Sequence, residues 1–315
     1  MTEVQQIHKL NFTSTIQNVV KVDDTTIAIC LGIDLFICSP FTQNRPLGGM
    51  HNKNFKNTHP IMGACSMPIS SELTMKFFKS DYRHPYKIQN GLVIFDTGSN
   101  FTVIDSPRNL VITKFAFHTS DVIDICASPN TPCQLAILTS TELIIIKIDL
   151  NQYIILKKIP VEGRAISPYL DGFLIDTHHN LKYLNGTQLK SFAPHAPFAD
   201  FRIDNDRVIV AYPSNNAVKF RVVGGEAFRL HNIGTLIWDT AGGFVFVLHD
   251  GIHLSIVSID DVSRNCLVTL SEKLNKTLEM FAQVDRLKKN IIVIVFSENS
   301  ATTISVPLTL FSESI

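Results

Sequence analysis

The feature that most limits the fold of this chain is a recurring group of short apolar runs separated by polar turns. The clearest group lies within residues 121–161 and contains four runs, at 122–129, 134–140, 143–148 and 153–159. Their β-branched residues and short polar connections are typical of antiparallel strands. The sequence therefore predicts one four-stranded antiparallel sheet for each group of about 40 residues.

The group recurs along the chain, and we count seven such units. Their second strands begin near Thr26, Gly91, Gln134, Gly172, Arg207, Phe244 and Ile291. The middle spacings of about 35–43 residues match the period of a propeller blade. The last unit lacks an outer strand, which the run at 7–12 can supply, so that no sheet edge is left open. We therefore predict an all-β chain, a single seven-bladed β-propeller domain over 1–315, closed by its N-terminal strand.

This strand pattern resembles that of the WD-repeat β-propeller family over nearly the whole chain. The family's short signatures are mostly missing. The chain has one Trp-Asp dipeptide, Trp238–Asp239, on a predicted first strand rather than the usual third, and no Gly-His pair opens a blade. The resemblance implies a diverged propeller whose loops bind other proteins.

Composition narrows the functional classes. With 28 basic and 28 acidic residues the chain has no formal net charge, which argues against attraction of the whole chain to nucleic acid or to an anionic membrane. A hydrophobic content of 45% is enough for a large core. Because the N-terminus has no secretory signal and no apolar run approaches the roughly 20 residues of a membrane span, we expect an intracellular protein, nuclear or cytoplasmic.

One segment suggests an enzyme. The sequence Val-Ile-Phe-Asp-Thr-Gly-Ser ending at Ser99 looks like the active-site loop of aspartic peptidases, in which Asp96 would be one of two catalytic aspartates. A single-chain enzyme of that family needs a second Asp-Thr/Ser-Gly, and the chain has none. We favour a hairpin turn with Gly98 at a position of positive φ, and keep the peptidase as an alternative.

The histidines and glycines give no stronger signal. His249 and His253 flank Asp250–Gly251, which predicts a two-residue hairpin turn. A metal site there would need a third ligand, for example from the His178–His179 pair, and we expect none. No Gly-rich phosphate loop precedes a helix, and no cofactor is expected.

A long insertion at about 42–90 is the most informative loop, and the first strand of the second unit is expected within 60–68. It combines basic and aromatic residues, a composition suited to an acidic protein segment or to nucleic acid. The residues chosen as partner-binding candidates are Lys53, Lys56, Phe77, Phe78, Lys79, Tyr82, Arg83 and Tyr86. Three interpretations stay open: a partly disordered insertion packed on the rim, a docking element for a protein, or a nucleic-acid contact.

The sequence thus predicts a non-enzymatic scaffold for protein–protein interaction, a subunit of an intracellular multiprotein complex. The basic and aromatic insertion slightly favours the nucleus. The alternatives are an aspartic peptidase using Asp96 and a propeller that contacts nucleic acid through the insertion.

Overall fold

The structure is a computed structural model. It describes residues 2–3, 6–12, 15–21, 27–31, 34–38, 82–88, 91–96, 100–105, 110–117 and 122–311, without 129, 132–133, 149–151, 178–179, 187, 194–199, 215–216, 232, 234 and 288. Side chains before residue 122 are described at a few positions only. The strands fall into two compact units, which are described separately below.

Unit two contains three four-stranded antiparallel sheets, each with its strands in chain order. Unit two also contains the strand β5, which covers Asp34–Cys38. The first sheet consists of β6 (Tyr82–Ile88), β7 (Gly91–Asp96), β8 (Asn100–Asp105) and β9 (Leu110–Ala116). The second consists of β10 (Val122–Ala127), β11 (Gln134–Thr139), β12 (Glu142–Ile148) and β13 (Tyr153–Pro160). The third consists of β14 (Ala165–Tyr169), β15 (Gly172–Asp176), β16 (Leu181–Asn185) and β17 (Gln188–Ala193).

Unit one repeats the same sheet and adds strands from the N-terminal residues. Its first sheet consists of β18 (Asp200–Asp204), β19 (Arg207–Ser214), β20 (Ala217–Val222) and β21 (Ala227–His231). Its second consists of β22 (Ile237–Ala241), β23 (Phe244–His249), β24 (His253–Ser258) and β25 (Asn265–Thr269). Its third has β26 (Thr277–Asp285), β27 (Asn290–Ser297) and β28 (Ser300–Pro307). The N-terminal strands are β1 (Thr2–Glu3), β2 (Gln6–Asn11), β3 (Ile16–Lys21) and β4 (Ile27–Leu31).

Two of the N-terminal strands extend sheets formed by the C-terminal half of unit one. Strand β2 pairs antiparallel with β28 and completes a four-stranded sheet, as the sequence predicts for the run at 7–12. Strand β1 pairs in parallel with β25 as a fifth strand, which the sequence analysis missed. Strands β3 and β4 pair antiparallel with each other. A 3₁₀ helix follows at Leu308–Phe311, and no helix in the described ranges is long and apolar enough to cross a bilayer.

Strand β23 is apolar on both faces because its sheet packs between two neighbouring sheets of unit one. In β23, Phe246 and Leu248 point toward the core shared with β27 and β28, whereas Val245 and Val247 point toward the core shared with β19 and β20. Alternate side chains of a strand lie on opposite faces, so a continuous apolar run serves both cores. Burying each such side chain stabilises the fold by roughly 1.5–3 kcal/mol.

Unit two follows the same rule. In β11, Leu135 and Ile137 pack in one core while Ala136 and Leu138 pack in the next. These side chains are fully buried. This two-sided burial explains why the runs 134–140 and 143–148 are almost purely apolar, and it confirms both as strands.

In each unit an aspartate carboxylate also connects one sheet to the next. Asp124 Oδ2 accepts the backbone N–H of Ile166 at 2.9 Å, and Asp239 Oδ2 accepts that of Ala282 at 2.8 Å. Both bonds join first strands of consecutive sheets, and their partners lie 42 and 43 residues apart in sequence. The first strands are therefore held to one another by charge-assisted hydrogen bonds at the blade period.

Two expectations about first strands need correction. The first strand of the second predicted unit is β6 at Tyr82–Ile88, not a segment within 60–68. It contains Pro85, and its pairing with β7 shifts register between Tyr82 and Pro85, an irregularity that accommodates a residue without an N–H. Strand β14 was also missed, because Pro168 lies inside it. Residues 60–68, within which that first strand was expected, lie outside the described residues.

We expect Gly172→Ala to destabilise unit two by about 3 kcal/mol, because overpacking against backbone cannot relax by a side-chain rotation. A Cβ at Gly172 would lie 1.9 Å from the carbonyl oxygen of Leu184 on the adjacent strand. Chemical denaturation followed by circular dichroism measures the change in unfolding free energy.

Gly225→Ala is the matched control, since its Cβ would meet only the Val222 side chain at 3.3 Å. Its effect should stay below about 1 kcal/mol. Equal effects of the two substitutions would contradict the close approach of β15 and β16.

Candidate functional site

A pocket of about 560 Å³ lies in unit one, where three connections between strands meet. These are the β21–β22 connection, the β23–β24 turn and the β25–β26 connection. The pocket is called the loop pocket below. Its apolar lining consists of Ile233, Ile237, Leu248 and Leu274. Its other lining residues, most of them polar, are Thr235, Asp250, Gly251, Lys273, Asn275, Lys276 and Thr277.

The β23–β24 turn forms one wall of the loop pocket. Asp250 and Gly251 both have positive φ, 46° and 76°, and the N–H of Ile252 donates to the carbonyl of His249 at 3.1 Å. Positive φ at both central residues defines a type I′ turn, which Asp-Gly adopts readily. The hairpin that the sequence predicts at this dipeptide is thus confirmed.

The β23–β24 turn also contacts the β25–β26 connection, which forms another wall of the loop pocket. The N–H of Leu274 donates to the carbonyl of Gly251 at 2.7 Å, and a Cβ at Gly251 would lie 2.1 Å from the Leu274 carbonyl oxygen. Only glycine allows this approach of two backbones. The shape of the loop pocket therefore depends on a direct backbone contact between two loops.

Charges of both signs surround the loop pocket. Burial of the Asp250 carboxylate works to raise its pKa, but hydrogen bonds from Ile252 and His253 outweigh this and lower the pKa below its usual range. Lys276 Nζ lies 2.8 Å from Glu298, and Lys9 of β2 lies 3.1 Å from Glu272 in the β25–β26 connection. Lys273 is exposed and has no hydrogen bond or ion pair among the described contacts. The rim therefore offers an anion at Asp250 and a cation at Lys273 to a bound partner.

His249 is adjacent in sequence but does not line the loop pocket. It is buried, and that burial lowers the pKa of its imidazole against the opposing effects of the His231 backbone and Asp250. His253 instead has its Nδ1 3.2 Å from Asp250. Among the residues with described positions, no three His, Cys, Asp or Glu side chains are grouped so as to hold a metal ion. His178 and His179 lie outside the described residues.

A second polar group, the first-strand cluster, consists of Asp200, Arg202, Trp238 and Glu279 on three consecutive first strands of unit one. Asp200 Oδ2 accepts the Trp238 indole N–H at 3.1 Å and lies 2.7 Å from Arg202 Nη1. The Arg202 guanidinium lies 5.3 Å from the centre of the Trp238 ring, within range of a cation–π contact. The Trp-Asp dipeptide thus lies on a first strand, β22, as predicted, and its Trp238 belongs to the cluster.

Glu279 lies at the edge of this cluster, with its side chain 31% exposed. Burial raises the pKa of its carboxyl to about 7, although the charge of Arg202, 3.8 Å away, and the N–H of Met280 both lower it. Burial likewise raises the pKa of Asp124 in unit two to about 6. The contacts of the first-strand cluster tie consecutive first strands of unit one together.

The structure describes only some of the partner-binding residues predicted from the sequence. Lys53, Lys56, Phe77, Phe78 and Lys79 lie outside the described residues. Tyr82, Arg83 and Tyr86 lie on β6, although their side chains are not described. Their role in partner binding stays a prediction.

Asp96 of the peptidase alternative is the last residue of β7, which pairs antiparallel with β8 up to Phe95 and Phe101. The segment therefore connects two adjacent antiparallel strands, which supports the hairpin interpretation. Residues 97–99 lie outside the described residues.

No protein-family model and no curated protein sequence matches the chain. Solved structures do match. The WD40 domain of Neurospora crassa Pan2 is 8% identical, with 97% of this chain and 96% of that chain covered and a TM-score of 0.62. The structure of Kluyveromyces lactis Hsv2 with its complete loop 6CD is 11% identical, with coverages of 90% and 93% and a TM-score of 0.59.

The fold is of the WD40 type. At such low identities the likeness concerns the fold alone, and it confirms the resemblance to WD-repeat propellers that the strand pattern predicts. The loop pocket was missed in the sequence. The only local signal is Leu274, a single aliphatic residue within the charged stretch Ser-Glu-Lys-Leu-Asn-Lys that ends at Lys276.

The raised pKa of Glu279 predicts a dependence of stability on pH. Between about pH 4.5 and 7 the folded chain holds a proton that the unfolded chain has released, so rising pH favours unfolding. Glu279→Gln removes this titration. The variant should lose about 1 kcal/mol less unfolding free energy than the wild type between pH 5 and pH 8. Urea denaturation at both pH values measures this, and parallel losses would contradict the desolvation of Glu279.

Proposed function

We propose that this chain is a non-enzymatic protein-interaction scaffold, a subunit of a multiprotein complex in the nucleus or cytoplasm. In this proposal its sheets are the blades of one seven-bladed propeller domain over 1–315, closed by β2. Folds of the WD40 type present loops from a rigid framework, and loops so placed commonly carry recognition. We assign no catalytic role to Asp96.

The observation that carries the proposal is the composition of the loop pocket. Buried aliphatic side chains, among them Leu248 and Leu274, lie beneath a rim that carries Asp250 and Lys273. An apolar side chain from a partner would displace water from the aliphatic lining, while the rim charges would orient its flanking residues. Such anchor-and-rim arrangements are typical of protein interfaces.

The test compares a variant with two substitutions at the loop pocket with a control variant that is substituted elsewhere. Thr235→Arg places a long side chain at an exposed position of the loop pocket, and Lys273→Glu reverses a rim charge without touching the core. The doubly substituted, tagged chain should retain at least tenfold less of a pocket-bound partner than the wild type, a loss of the size expected at an interface hot spot. Quantitative mass spectrometry after affinity purification from the protein's own cells measures this.

Glu226→Arg, in the exposed β20–β21 turn outside the loop pocket, is the control and should retain the same partners. Thermal unfolding of all chains should agree, since each change is at an exposed residue. Unchanged partners in the double variant would reject the loop pocket, and no specific partner with any chain would reject the scaffold role.

The insertion at about 42–90 is proposed as a further docking element, with nucleic acid as the alternative ligand. Substituting Lys53, Lys56 and Lys79 with Gln removes three cations. If the insertion binds RNA or DNA, affinity for a labelled oligonucleotide at low salt should fall, and the salt dependence should become shallower. Fluorescence anisotropy measures both, and an absence of binding by the wild-type chain at low salt would leave the protein-docking interpretation.

A further inference from the structure

Strand β13 presents three consecutive large aliphatic side chains to solvent. Ile154, Ile155 and Leu156 are 49%, 45% and 51% exposed. Alternation along a strand would bury at least every second residue if one face were packed, so this run is not explained by a core on either side. These three residues are called the β13 edge below.

The backbone of this strand has an open side. Strand β13 is last in the order β10-β11-β12-β13, and within the described residues no strand pairs with its outer side. An outer strand of this kind offers unpaired N–H and C=O groups to another chain. The charged residues and the proline that would protect such an edge occur only in its second half, at Lys157, Lys158 and Pro160. The aliphatic half carries neither charge nor proline.

The pairing of β13 is irregular at this point. Ile146 pairs with Ile155 and Ile145 pairs with Lys157, so Leu156 is an extra residue in the strand. A bulge of this type bends a strand and turns side chains away from their regular faces. It accounts for the exposure of adjacent residues and leaves the aliphatic groups clustered.

The same chain shows that the outer edge of the fourth strand of a sheet can accept another strand. In unit one, β25 is the outer strand of its sheet, and β1 pairs with it in parallel through Thr2↔Val268 and Glu3↔Thr269. The added segment is short, extended and contains an acidic residue. The β13 edge is the corresponding outer position of a sheet in unit two.

The charges around the β13 edge select the chemistry of the added segment. Strands β12 and β13 together carry Lys147, Lys157, Lys158 and a single acidic residue, Glu142. Lys158 Nζ lies 2.9 Å from Glu142, and Lys157 Nζ donates to the Gly186 carbonyl at 2.8 Å, which leaves excess positive charge beside the aliphatic run. A second copy of this chain would bring the same lysines to the edge, whereas an acidic segment would balance them.

We propose that the β13 edge binds an extended acidic and aliphatic segment of a partner protein, which adds to the sheet as a fifth strand. Backbone hydrogen bonds would supply part of the affinity, the three aliphatic side chains the apolar contact, and the lysines the preference for Asp and Glu. The inference rests on the proposed scaffold role but concerns a surface separate from the loop pocket.

The first experiment introduces the photo-crosslinking residue p-benzoylphenylalanine in place of Ile155 in the tagged full chain, expressed in its own cells. Mass spectrometry of the crosslinked peptide should identify an acidic, aliphatic segment of another protein. The same residue at Leu267 is the control, because Leu267 is similarly exposed on an outer strand whose edge β1 already occupies. Crosslinking to a second copy of this chain, to a basic segment, or to nothing would overturn the proposal.

The second experiment tests the charge preference with two matched variants. One carries Ile154→Lys and Leu156→Lys, the other Ile154→Glu and Leu156→Glu, so both lose the same apolar contact and differ in sign. A synthetic peptide of the crosslinked segment should bind the Lys variant about tenfold more weakly than the wild type, and the Glu variant several-fold more weakly still. Equal or tighter binding by the Glu variant would overturn the acidic preference.

Both variants should unfold at the wild-type temperature, because the substituted side chains are already exposed. The two proposals fail separately. If the loop-pocket variant loses partners while Ile155 crosslinks to nothing, the scaffold role stands and the β13 edge is rejected. If no partner is recovered with any chain, the scaffold role itself fails.

Discussion

A sheet whose middle strands are apolar on both faces cannot be stable alone, and this constraint governs the rest of the structure. Val245 and Phe246 are successive residues of one strand, yet each is fully buried in a different core. Such a sheet needs a neighbour on each side, which needs a further neighbour in turn. This residue pattern therefore requires that the sheet be repeated along the chain.

Apolar contact alone would allow neighbouring sheets to slide, since it has no preferred direction. The carboxylates of Asp124 and Asp239 remove that freedom, because each accepts one specific N–H of the next first strand. Burial of carboxylates has a cost, visible in the raised pKa of Asp124 and of Glu279. The polar contacts therefore fix the register between sheets that hydrophobic packing assembles.

How far the structure follows from the sequence depends on where each element is buried. Strands β11, β12, β23 and β27 are recognisable because two-sided burial makes them uninterrupted apolar runs. Strands β6 and β14 contain proline, and β1 has two residues, so none of the three has a local signal. The loop pocket joins residues 233–237, 248–251 and 273–277, and no local pattern specifies which loops meet. The β13 edge, by contrast, was read correctly as a strand, but its exposure depends on a bulge that only the pairing reveals.

The pairing of β2 with β28 has a consequence for biosynthesis. Strand β2 is synthesised well before its partner at Ser300–Pro307, because nearly 300 residues of the chain lie between them. At about 5–20 residues per second, the early strand waits for tens of seconds before its partner emerges. During that interval β2 has none of the other strands of its sheet, and it is open to molecular chaperones or to a sheet edge of another chain. Protection of β2 until β28 has been made is therefore part of what this fold requires.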